Sequence, residues 1–88
     1  MKHAGPPTLD MIEDDLLAVL RACPELTERK RGIFYRKSIA FLHFHEDPAG
    51  LFADLKLGKA FTRFPVNTKQ ERRALLNRVR QTLASGLK

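Results

Sequence analysis

The chain has little with which to clamp itself shut. It contains one cysteine, Cys23, so no internal disulfide can form, and a reducing, cytoplasmic setting is expected. No apolar run approaches the roughly 20 residues that a membrane helix needs, so no membrane span is expected. No hydrophobic block follows Lys2, which argues against a secretory leader. Tryptophan is absent and tyrosine occurs once, so the aromatic content rests on six phenylalanines. Glycine is sparse, and Gly58-Lys59 reads as a hairpin turn, not as a phosphate cradle. A nucleophile beside a base is also missing. Ser38 falls in a turn, and Cys23 ends a helix and reads as a small apolar residue. These absences argue against an enzyme.

What remains suits one small domain spanning residues 1–88. At 43% apolar the chain is too hydrophobic for a disordered segment, and its length allows a single thin core. The net charge of +6 is unevenly placed. Residues 1–26 hold two bases and five acids, whereas residues 27–88 hold fourteen bases and five acids. Such a surplus can steer a protein toward nucleic acid or an acidic partner, or can simply solvate its surface.

The hydrophobic period changes twice. Residues 1–7, with Gly5, Pro6 and Pro7, read as a flexible arm. Thr8 then serves as the expected N-cap of a helix ending near Ala22, before Pro24. Leu9, Ile12, Leu16, Val19 and Leu20 form its apolar side, and Leu17 broadens it. Leu26–Arg29 reads as a connector. The period then falls to 2, and four strands are expected at about 31–36, 39–46, 51–57 and 60–66. Their short joints force antiparallel neighbours. Thr68 with Glu71 reads as a capping box, as would Asn67 with Gln70. A second helix runs from there to about Ser85, with Gly86 as a C′ stop. The expected fold is therefore α+β: a four-stranded antiparallel meander with both helices on one face, in the order α-β-β-β-β-α.

The turns set the registers, and the registers set the faces. Pairing Arg36 with Ile39, Glu46 with Leu51 and Leu57 with Ala60 puts Ile33 opposite Leu42. Ile33, Tyr35, Ala40, Leu42, Phe44, Leu51, Ala53, Leu55, Leu57, Thr62, Phe64 and Val66 then share the covered face. The opposite face receives Phe34, Phe41, His43, His45, Phe52, Asp54, Lys56, Phe61 and Arg63. With both helices committed to the first face, this second one is expected to stay open and to act as a contact surface.

Two uses of that face follow from its chemistry. Phenylalanines flanked by Lys56, Arg63 and Lys30 can stack nucleobases, or can bury themselves against a protein partner or a second copy of the chain. Alternatively, His43 and His45, two apart on one strand, and the neighbouring Asp54 present two imidazoles and a carboxylate to a metal such as zinc or to a small ligand. The first reading makes the protein a non-enzymatic interaction module without a cofactor. The second makes it a metal- or ligand-binding domain.

The segment GIFYRKSIAFLHFHEDPAGLFADLKL resembles small bacterial domains of the luciferase-like type. In those domains a strand ends in His-x-His-x-Asp and the next strand carries an apolar-Asp step. The matching residues are His43, His45, Asp47 and Asp54. The helix–sheet–helix plan is also similar to MmcQ/YjbR-like proteins, which are related to double-wing DNA-binding domains. The resemblance covers about residues 31–57 and implies an α+β fold.

Overall fold

A computed structural model describes residues 2–85. In chain order the elements are β1 (Lys2–His3), α1 (Pro6–Met11), a π-helical turn (Glu13–Leu17), α2 (Ala18–Arg21), β2 (Leu26–Lys30), β3 (Ile33–Arg36), β4 (Ile39–Asp47), β5 (Gly50–Leu57), β6 (Ala60–Pro65) and α3 (Lys69–Ala84). The fold is α+β, as the periodicity indicates. The sheet is antiparallel and runs β2-β3-β4-β5-β6, with β1 pairing β4 beyond the end of β3.

Two strands exceed the four read from the pattern. The expected connector at Leu26–Arg29 is most of β2, an edge strand of mainly charged residues that buries only Leu26. The expected arm supplies β1, which pairs Lys2 with Glu46 and His3 with His45. The Ala4 N–H extends this pairing by donating to the Phe44 carbonyl at 3.0 Å.

The N-terminal helical stretch begins earlier than Thr8. Gly5 is the N-cap, and Pro6 follows with the fixed φ that suits a first helical position. At its middle the Leu17 N–H donates to the Ile12 carbonyl, five residues back, at 3.1 Å. This π turn takes in one extra residue and rotates the stripe, so that Leu16 and Leu17 are both fully buried. The second helix starts as expected. The Glu71 N–H donates to Thr68 Oγ1 and the Thr68 N–H donates to Glu71 Oε1, each at 3.1 Å, which completes the capping box. Gly86, expected as its stop signal, lies outside the described residues. Asp15 and Arg72 tie the two helical layers together at 3.1 Å, so part of the α3 charge is neutralised by an acid of the N-terminal stretch.

Leu9, Ile12, Leu16, Leu17 and Leu20 join Leu75 and Val79 of α3 over one face of the sheet. Beneath them lie Phe34, Phe41, Leu42, Phe44, Leu51, Ala53 and Leu55. Gly32 shows how close this contact is. Its φ is +82°, which other residues rarely adopt, and a Cβ there would sit 2.8 Å from Leu9 Cδ2 and push that side chain aside, so glycine is favoured between β2 and β3 at this point.

The registers β4·β5 and β5·β6 match the expected ones throughout, and Arg36 pairs with Ile39. One pairing differs. Ile33 stands opposite His43 and Phe34 opposite Leu42, because β4 carries a bulge at Phe41. A bulge inserts one residue and reverses the alternation beyond it. Phe34 and Phe41, expected on the open face, therefore enter the core, with Phe34 fully buried. Ile33 and Tyr35, expected inward, are only half-buried, and Thr62 is exposed on the edge strand β6.

Candidate metal centre

Among the described residues the helices pack on the face of Leu42, Phe44, Ala53 and Leu55, and the registers put His43, His45, Phe52, Asp54, Lys56, Phe61 and Arg63 of the expected set on the other. His3 joins them from β1. Its ring stacks on His45 with centroids 4.7 Å apart and planes 15° apart, and meets His43 edge-on at 5.8 Å. His43 and His45 meet edge-on at 4.8 Å, and Phe61 closes the far side of His43 at 4.8 Å. A ligand nitrogen from each of the three histidines lies within 4.8 Å of the others. Among the described residues the group of side chains placed so that it could hold a metal ion is His3, His43 and His45.

Asp54 has a different place. It is opposite His43 in the register, but its carboxylate turns along the sheet. Oδ2 lies 3.0 Å from His45 Nδ1. Arg63 donates from Nε to Oδ1 at 2.8 Å and from Nη2 to Oδ2 at 2.9 Å. At 7% exposure the acid is buried, and burial alone would raise its pKa. The Arg63 hydrogen bonds outweigh that effect and hold it below the ordinary carboxylate value. An ionised carboxylate only accepts, so the proton of the contact sits on His45 Nδ1, and Nε2 is the ring nitrogen left for another partner. This is the outer-shell arrangement that orients a metal-binding histidine.

His43 is the most constrained of the three. Its Nδ1 is shut off from solvent and has no hydrogen-bond partner. Burial lowers the His43 pKa, with a further push from His45, against the opposing pull of Asp54. The ring is accordingly neutral near pH 7, the form that ligates a metal. An orphaned buried nitrogen carries a cost of about 1–3 kcal/mol, which a Lewis acid within reach would relieve.

The donor set fits a divalent transition ion of the zinc class. Imidazole is a preferred ligand of zinc, copper and nickel, at about 2.0–2.1 Å for zinc. In a tetrahedral site that distance separates the nitrogens by about 3.4 Å, so the nitrogens would draw in by somewhat more than 1 Å and the His3 ring would turn out of its stack on His45. His3, exposed on a two-residue strand, is free to make that adjustment.

The remaining face residues frame this cluster. Phe61 is 42% exposed, Phe52 is half-buried, and the Lys56 ammonium lies 5.6 Å from the Phe61 ring centre. Sequence reasoning missed His3, because an apparent arm gives no period from which to assign a face. His3 is itself the partner of His45 in the β1·β4 ladder, a pairing that no local pattern announces. Cys23 takes no part: its Sγ contacts the Val19 carbonyl at 3.7 Å, far along the chain from the histidines. Comparison with known proteins assigns no family, since no family model, curated protein or solved structure matches the chain.

Proposed function

We propose that this is a small metal-binding domain that holds one divalent ion of the zinc class on the open face of its sheet. His3, His43 and His45 are the ligands, and Asp54 with Arg63 orients His45. The observation that carries the reading is the proximity of three imidazoles, one of them oriented by a carboxylate, with His43 Nδ1 buried and unpartnered. A bound ion of this kind supplies Lewis acidity, and three protein ligands leave a further position for an exchangeable one.

The contact-surface reading rests on a platform of four phenylalanines. With Phe34 and Phe41 in the core, Phe52 and Phe61 remain, which is thin support for base stacking or for a sheet-to-sheet dimer. The metal reading is therefore favoured. Calorimetric titration of the full chain with Zn²⁺ at neutral pH tests it. One site per chain is expected, with most of the affinity lost in His43→Ala and in His45→Ala. No heat, and no rise in Tm with excess zinc, would overturn it.

A further inference from the structure

We infer that the centre takes a small oxyanion, a carboxylate or a phosphate, as the exchangeable ligand of its metal; this rests on the metal reading above. The argument is one of charge. Three imidazoles are neutral ligands, so they leave both charges of a divalent ion uncompensated. Asp54 is the carboxylate closest to the cluster, and it is not free to discharge the ion. One oxygen accepts from Arg63 Nε, the other from Arg63 Nη2 and His45, and the group is buried. Its charge is balanced within its own pair with Arg63.

The groups around the cluster reinforce the sign. Arg63 has a half-exposed side chain and uses Nε and Nη2 for Asp54, which leaves Nη1 for a ligand. Lys56 lies over Phe61, whose ring in turn rests on His43. Asp47, at the end of β4, is the opposing acid, and its Oδ1 is engaged by the Ala49 N–H at 2.8 Å. Glu46 is drawn away by Lys2 and the Gly5 N–H. A ligand approaching the ion therefore meets the Lys56 ammonium, the remaining Nη1 donor of Arg63 and an exposed aromatic ring, and an oxyanion matches them.

Cobalt(II) binding separates the two levels of this reading, because its visible absorption reports on the ligands of the ion. The full chain is loaded with Co²⁺ in perchlorate and titrated with acetate and with inorganic phosphate, with glycerol as a neutral control. A saturable change of the absorption band with the oxyanions and none with glycerol is expected. Lys56→Gln should weaken the oxyanion response by about threefold, the worth of one exposed charge, while Co²⁺ itself binds as before. Co²⁺ bound one to one with a spectrum that ignores both oxyanions into the tens of millimolar would overturn the inference and leave the metal reading standing. An oxyanion response unaltered by Lys56→Gln would overturn the cationic recognition argued here. Failure of Co²⁺ to bind would overturn the metal reading, and this inference with it.

Discussion

Asp54 stands opposite His43 in the sheet, yet it gives its carboxylate to His45. The diagonal is imposed from the other side. Arg63, opposite Asp54 on β6, takes both oxygens and fixes their plane, and His45 Nδ1 is the donor that this plane reaches. In the proposed site Asp54 therefore positions His45 and is not itself a ligand. Asp54→Asn keeps the shape and removes the charge. It should weaken zinc binding by about 10–100-fold, as loss of an outer-shell carboxylate does, without abolishing it. Competition against a chelator of known affinity measures this. An Asp54→Asn protein that binds zinc as tightly as the wild type would remove the orienting role.

The aromatic residues of the sheet give the sharpest contrast between similar side chains. Phe41 and Phe61 both read as open-face residues from strict alternation. The bulge sends Phe41 into the core at 4% exposure and leaves Phe61 at 42%. Phe41→Ala should therefore cost about 3–5 kcal/mol of stability, and Phe61→Ala about 0.5 kcal/mol or less. Urea denaturation of the two variants checks the difference. Equal and small effects would put Phe41 back on the surface.

The same bulge marks where the sequence stopped being legible. The two-residue turns and the alternation of β5 and β6 specify their registers unaided, because one slipped residue would invert a whole buried face. The helices are legible for the same reason, through stripes such as Leu9, Ile12, Leu16 and Leu20. The extra residue at Phe41 has no local signature: Ile39-Ala40-Phe41-Leu42 alternates no worse with it than without it. The π turn is hidden likewise, since Leu17 only widens an existing stripe. β2 is masked by its composition, because an edge strand can be almost wholly charged. Of the candidate centre, His43 and His45 could be read from their spacing on one strand. His3 could not, because its place depends on a pairing between residues more than forty positions apart.

A charge cluster at the helix–sheet seam sets an acid limit on the fold. Glu13 is bound by Arg21 and by Arg31, and Arg31 also reaches Asp10 at 2.8 Å. The Arg21 and Arg31 hydrogen bonds lower the Glu13 pKa from 4.5 to about 2. A carboxyl whose folded pKa lies below its unfolded one binds fewer protons when folded, so it favours the folded state above the unfolded value. Its contribution is thus complete above pH 4.5 and is lost as the pH falls toward about 2. Because the group is at the surface, solvent and salt reduce the effect. Glu13→Gln should be less stable than the wild type at pH 6 and low ionic strength, and the gap should close below pH 4.5. A gap independent of pH would mean that packing, not charge, is what Gln alters.

The N-terminal strand should be under the control of the metal. β1 has two residues, both exposed, and is held by one ladder to β4, the Ala4 N–H to Phe44 and the exposed pair of Lys2 with Glu46. A terminal strand of this size opens at almost no cost in free energy. Ligation by His3 would change that, since opening β1 would then require breaking a bond to the ion. At a free zinc concentration of ten times Kd, exchange of the Ala4 amide should slow by about tenfold, provided the open form has lost the site. The strands of the core should respond far less, because they open only with the whole fold. His3→Ala should abolish the protection at Ala4. The outcome also decides between ligand sets: a site made by His43, His45 and Asp54 would bind zinc and leave Ala4 exchanging as it does without metal. Protection that appears with zinc and vanishes in His3→Ala would assign the third imidazole to the strand that the sequence presents as a loose arm.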